Sequence, residues 1–170
     1  LLPPNLDELI PREHVVRFIA GFVDQLDLNA LGLRKVPAAR GGLEYDVRLL
    51  LSLWVYGFML RIRSTRRLET AARENLPLMW LLGGQHPDHS TLARFFKANR
   101  KAMRQLFVHS VRVSVQVGLV GFALHAVDGT RVSTVSRDKA LSRDELLALE
   151  ERAAQAIARL ERSVEAEEQS

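Results

Sequence analysis

Between Leu49 and Leu60 the chain reads Leu-Leu-Leu-Ser-Leu-Trp-Val-Tyr-Gly-Phe-Met-Leu, apolar on every turn whichever face is chosen. A helix of that composition cannot lie on a surface and must be enclosed by other elements, so the rest of the fold has to be built around it. Asp46 is a suitable N-cap for such a helix, which the pattern carries to about Ile62. The run is far shorter than the ~20 residues that span a bilayer, and Arg61 and Arg63 follow it at once. An apolar fraction of 47% over 170 residues supplies enough material for a packed core of one ordinary domain, or of a small domain with a second piece.

The other segments are shorter and well punctuated. Leu1 to Pro11, with Pro3, Pro4 and Pro11, reads as an extended lead-in. Val15, Val16, Phe18, Ile19, Phe22, Val23 and Leu26 then repeat at helical spacing, and Asn29 to Tyr45, with Gly32, Pro37, Gly41 and Gly42, reads as a loop. Ser64 or Thr65 can cap a short helix to about Glu74, and Pro77 opens an apolar turn that Gly83 and Gly84 stop. Asp88 or Ser90 caps a long helix running through Leu92, Phe95, Phe96, Met103, Leu106 and Phe107 to Gly118 or Gly121. Trp54, Tyr56, Phe58 and Trp80 are assigned to the core.

After Gly121 the period changes. Phe122–Val127 is a short apolar run, Asp128-Gly129 is a turn signal, and Arg131–Val135 alternates, which predicts strand, turn and strand. A capping box, Ser142 with Glu145, then opens a charged helix whose thin seam is Leu146, Leu149, Ala153, Ala156, Ile157 and Leu160. In the expected fold that seam has no partner. The expected class is therefore mainly α: a helical N-terminal domain (1–117) with a helix-turn-helix-like arrangement, a short β-hairpin (118–136), and a long charged C-terminal helix (137–170).

Charge is unevenly distributed. From residue 61 to 112 eleven bases face three acids, a net of +8, whereas from Asp128 onward seven bases face ten acids, a net of −3. A basic middle suits a polyanion partner, and a solvated charged face accounts for the same pattern. Arg94, Lys97, Arg100, Lys101 and Arg104 recur at three- and four-residue spacing, so one helix would carry them on one sector. Arg66 and Arg67 fall in the first turn of their helix, where the macrodipole disfavours cations and an external polyanion would relieve the conflict. There are no cysteines, hence no disulfides or thiolate metal sites, and no leader-like segment follows Leu1, which leads us to expect a soluble, cytoplasmic chain.

Two further groups have both a chemical and a plain reading. Asp128, at the end of an apolar run, has the chemistry of a hard oxygen ligand for Mg²⁺; on local sequence Asp-Gly is simply a turn. His86, Asp88 and His89 share one loop, but no third ligand has suitable spacing, and helix capping explains Asp88 better.

In order, these pieces resemble a known family. Leu2-Pro3-Pro4, Ile10-Pro11-Arg12-Glu13-His14 and Leu26-Asp27-Leu28 resemble the opening of insertion-sequence DDE transposases with an InsH-like N-terminal domain. Arg61-Ile62-Arg63-Ser64-Thr65-Arg66-Arg67-Leu68-Glu69 and Pro87-Asp88-His89-Ser90-Thr91-Leu92-Ala93-Arg94-Phe95 are similar to that domain's two signatures. Val127-Asp128-Gly129-Thr130-Arg131-Val132 looks like the strand bearing the first acid of the catalytic core. Val47 stands where the family usually has a proline.

The resemblance implies several things. Arg61, Arg63, Arg66, Arg67, Arg94, Lys97, Arg100, Lys101 and Arg104 would contact double-stranded DNA at transposon terminal repeats, in a nucleoid-associated bacterial protein. Asp128 would be the first catalytic acid and ligand of Mg²⁺ or Mn²⁺ at the start of a ribonuclease-H-like core. Nothing after Ser133 supplies the second Asp and the Glu, so a truncated, catalytically incomplete product is expected. Rival readings are an interaction protein that self-associates or inhibits intact transposase through its charged helix, and an unrelated helical DNA-binding regulator.

Overall fold

The apolar run of residues 49–60 is helical, as its composition requires, and the elements around it are helices too. The computed structural model describes residues 5–36, 44–128 and 141–169. Among them lie α1 (Leu6–Leu9), α2 (Val15–Asp24), α3 (Val47–Met59), α4 (Thr65–Glu74), α5 (Leu76–Leu81), α6 (His89–Ala98), α7 (Arg100–Gln116), α8 (Val120–Asp128) and α9 (Arg143–Glu168). The chain divides into two units: residues 1–56 with 65–99, and residues 57–64 with 100–170, so α3 begins in the first and ends in the second.

In the first unit α5 packs on α1, α2 and α4, and α4 packs on α6. The core residues come at helical spacing: Val16, Ile19, Phe22 and Val23 from α2, Leu68 and Ala72 from α4, Leu92, Phe95 and Phe96 from α6. Trp54 of α3 lies against Phe96 with ring centroids 4.8 Å apart. Asp46 caps α3 by accepting the Arg48 N–H at 2.6 Å, and the Arg48 guanidinium donates to the carbonyls of Val23, Asp24 and Leu26 at the end of α2. That side chain satisfies acceptors the helix leaves over. The N-terminal lead-in holds a short helix, α1, capped by Asn5 and fixed by Asp7, whose carboxylate receives the Trp80 indole N–H at 3.0 Å and Arg17 at 2.9 Å. The Trp80 hydrogen bond, with that of Arg17, holds the Asp7 carboxyl below its usual range.

In the second unit α7, α8 and α9 pack on one another. Phe58 stacks on Phe107 at 4.5 Å and 11°. Ser110 and Ser114, buried on α7, donate to the carbonyls of Phe107 and Ser110 one turn back, so their hydroxyls need no other partner. The α9 seam, expected to lack a partner, is buried: Leu149, Ala153, Ala156, Ile157, Leu160 and Val164 are each no more than 2% exposed.

Two expectations are corrected. The segment predicted as the first strand of a β-hairpin, residues 122–127, lies inside α8, and no strand occurs among the described residues. A six-residue apolar run cannot tell a buried helix from a strand by periodicity. Here Ala123, Ala126 and Val127 are the buried set, at spacings of three and four, and alanine favours the helix. The partner strand, residues 131–135, falls outside the described residues. The single helix expected from Ser90 onward is two, α6 and α7, interrupted at Asn99. The Asn99 amide accepts the Arg34 N–H at 2.6 Å and donates to the Arg34 and Phe95 carbonyls, holding the 33–36 segment. α7 continues through the β-branched stretch to Gln116, and Gly118, at φ +83°, ends it.

Candidate nucleic-acid interface

Two of the predicted DNA contacts, Arg61 and Arg63, lie at a sharp turn. α3 ends in a Schellman motif in which the Ile62 N–H donates to the Gly57 carbonyl at 2.9 Å and the Arg61 N–H to Phe58 at 3.0 Å. The motif requires a left-handed residue, and it is Arg61, at φ +61°, the one described residue other than glycine with positive φ. Equivalent turns after α5 and α7 use Gly83 and Gly118. Arg61 is exposed. Arg63 turns inward: its guanidinium donates to the carbonyls of Phe58 and Ala126, each at 2.7 Å, and lies 4.4 Å over the Phe58 ring. Burial, with the charges of Arg61 and Arg159, lowers its pKa to about 10, so it stays protonated at neutral pH.

α4 presents Arg66, Arg67 and Arg73 outward while Leu68 and Ala72 face the core. Glu69, on the same helix, is a junction. Oε2 accepts the His89 backbone N–H at 3.0 Å and meets His89 Nδ1 at 2.8 Å, while Oε1 accepts from Arg73 at 2.9 Å. Burial alone would raise the Glu69 pKa, but the hydrogen bonds from His89 and the neighbouring charges outweigh it and lower it. This links Glu69 of the first signature directly to His89 of the second, and no spacing rule in the sequence could have paired residues twenty apart.

The start of α6 is doubly capped. Asp88 accepts the Thr91 N–H at 2.8 Å, the Ser90 hydroxyl at 2.5 Å and the Thr91 hydroxyl at 3.0 Å. Burial opposes its ionisation, yet those donors bring its pKa down to about 2. With Glu69 and Asp88 both there, the N-terminal end of α6 carries carboxylates and is no seat for a phosphate. The outward stripe of α6 is Ser90, Arg94 and Lys97, three and four residues apart. Arg94 is steadied by the Ser90 carbonyl at 3.3 Å and the Thr91 hydroxyl at 3.1 Å.

The remaining predicted contacts belong to α7 in the other unit. Arg100 pairs with Glu165 at 2.5 Å and Arg104 with Glu161 at 2.6 Å, both on α9, while Lys101 is exposed. Arg94 and Lys97 therefore do not share a helix with Arg100, Lys101 and Arg104. Asp128 is the last residue of α8, not of a strand, and Gly129-Thr130-Arg131-Val132 lies outside the described residues. Among the described residues no group of three or more His, Asp or Glu is placed to hold a metal ion. No helix among them is long and apolar enough to cross a membrane.

Among the described residues the first unit is thus a helical module, its core side chains turned inward and an outward basic face divided between two helices tied by Glu69. Residues 4–98 match the family described as Transposase domain (DUF772), and the chain belongs to that family. Neither a curated protein nor a solved structure matches the chain.

Proposed function

We propose that this chain binds duplex DNA through the outward faces of α4 and α6, as the end-recognition module of a transposase of the InsH-like insertion-sequence kind. The observation that carries the reading is the arrangement of Arg66 and Arg67 with Arg94 and Lys97 on two adjacent helices, locked at the Glu69–His89 junction, within the family-matched segment. Arg66 and Arg67 oppose the α4 dipole, which costs stability unless an anion approaches. Because carboxylates occupy the α6 N-terminus, α6 would meet DNA with its side, through Ser90, Arg94 and Lys97, and phosphates would lie along the two arginines of α4. The two signature resemblances support terminal repeats as the target; base-edge contacts from α6 would supply the sequence preference.

The test is binding to the element's terminal repeat and to a scrambled duplex across a salt series. Each phosphate contact adds about 0.9 to the slope of log K against log salt. Arg66→Ala with Arg67→Ala should reduce that slope by about 2 on both duplexes, whereas Arg94→Ala with Lys97→Ala should also erode the preference for the repeat. Absence of binding at 50 mM salt would refute the reading and leave a solvated charged face.

A further inference from the structure

The arginines of α7 form a row that α9 already occupies. Arg100, Arg104 and Arg112 pair in order with Glu165, Glu161 and Glu150, at 2.5, 2.6 and 2.7 Å, as two antiparallel helices require. At a rise of about 1.5 Å per residue the row is ~18 Å long, a length over which one DNA strand presents about five phosphates. The two partners differ in their freedom. Arg104 and Arg112 keep 58% and 46% of their side-chain surface exposed, whereas Glu161 and Glu150 keep 10% and 17%. Glu161 and Glu150 are set into α9 beside its buried seam, and Arg104 and Arg112 reach over to them from the solvent side, whereas Arg100 and Glu165 are about equally exposed, at 40% and 45%.

The pairing is also a poor form of glue. Glu161 Oε1 is buried without a hydrogen-bond partner, which is unfavourable, and apolar residues in its place would generally hold two helices at least as well. From these observations we propose that α9 is an internal polyanion that withholds the arginine row of α7 from nucleic acid. Bound DNA then meets α4 and α6 alone until the α9 carboxylates are neutralised or drawn away, when α7 becomes a second phosphate-binding surface. α9 need not undock, because the exposed guanidinium groups can swing from carboxylate to phosphate while the apolar seam stays closed. This rests on the DNA-binding reading above and adds its regulation.

The experiment compares the full chain with Glu150→Gln/Glu161→Gln/Glu165→Gln and with a charge-matched control, Asp24→Asn/Asp144→Asn/Glu151→Gln, in duplex binding across a salt series. Release of the row should steepen the slope of log K against log salt by about 2.7, so that affinity falls roughly 40-fold more than the unaltered chain's between 50 and 200 mM. Adding Arg100→Gln/Arg104→Gln/Arg112→Gln should abolish that gain. Should the buried Glu161→Gln prevent folding, Glu165→Gln, at a half-exposed pair, should still steepen the slope by about 0.9. A Gln variant that tracks the charge-matched control overturns the proposal while leaving DNA binding by α4 and α6 intact. If no protein of the set binds DNA at low salt, the binding reading and this proposal fall together.

Discussion

Replacing Asp88 by alanine tests how the α6 face is held. The carboxylate caps α6 through the Thr91 N–H and accepts the hydroxyls of Ser90 and Thr91. Loss of such a cap costs about 0.5–2 kcal/mol, and the Thr91 hydroxyl, on a residue only 7% exposed, would lose its acceptor for roughly another 1 kcal/mol. The sum is about 1.5–3 kcal/mol at pH 7. Part of it depends on charge. A fall in pKa from 3.8 to about 2 is worth ~2.4 kcal/mol at full weight, and solvent screening of a partly exposed carboxyl reduces this to ~1–2. A depressed pKa means that this stability is present above pH 3.8 and is lost as pH falls through 2. Urea unfolding followed by circular dichroism from pH 7 to pH 2 should therefore show the gap between Asp88→Ala and the unaltered chain narrowing by ~1–2 kcal/mol below pH 4. Asp88→Asn keeps an acceptor for the Thr91 N–H but not the charge, so it should lose only the pH-dependent part. Equal losses for Ala and Asn at every pH would refute the reasoning.

Three other perturbations have definite outcomes. Arg61→Gly should stabilise the chain by about 0.5–1 kcal/mol in urea unfolding, because glycine removes a left-handed penalty of ~1–2 kcal/mol at a cost in unfolded-state entropy. If Arg61 touches phosphate, the same change lowers the salt slope of DNA binding by about 0.9. Glu69→Ala should cost about 1–2 kcal/mol, and a double-mutant cycle with His89→Ala should show about 1 kcal/mol of coupling; additive losses would mean the α4–α6 junction contributes nothing. Arg63→Ala should destabilise by about 2–3 kcal/mol while leaving the salt slope unchanged, since its guanidinium serves the Phe58 and Ala126 carbonyls.

Features set by neighbours in the chain were legible in the sequence. The Asp88 cap, the Ser142–Glu145 box, Pro77 at the start of α5 and the Gly118 stop all appear where local backbone chemistry puts them. The core helix was legible because apolarity on every face leaves no other place for it. α1 was not, since four residues carry barely one period and its hold depends on Trp80, seventy-three positions on. Nor was the break at Asn99, where an amide unremarkable in a helix interior is fixed by Arg34, sixty-five residues away. The apolar run in α8 was ambiguous by nature: Ala123, Ala126 and Val127 suit either period until their burial is known. The Glu69–His89 junction, between residues that each look like ordinary surface polars, had no local signal at all.

The same distinction applies to charge. The net of +8 between residues 61 and 112 is a property of the written chain, and folding redistributes it. Arg63 goes to two carbonyls, Arg73 to Glu69, and Arg100, Arg104 and Arg112 to acids thirty-eight to sixty-five residues further on. A phosphate approaching α7 must compete with carboxylates already in place, and the first turn of α4 is a helix end that favours anions. The two halves of the basic stretch, alike in composition, therefore differ in what they offer a polyanion. The acids responsible lie in the segment after Asp128 whose net charge is −3. If that is right, deleting charge from α9 should change DNA affinity more than deleting charge from α7, an order of effects that a simple census of lysines and arginines would reverse.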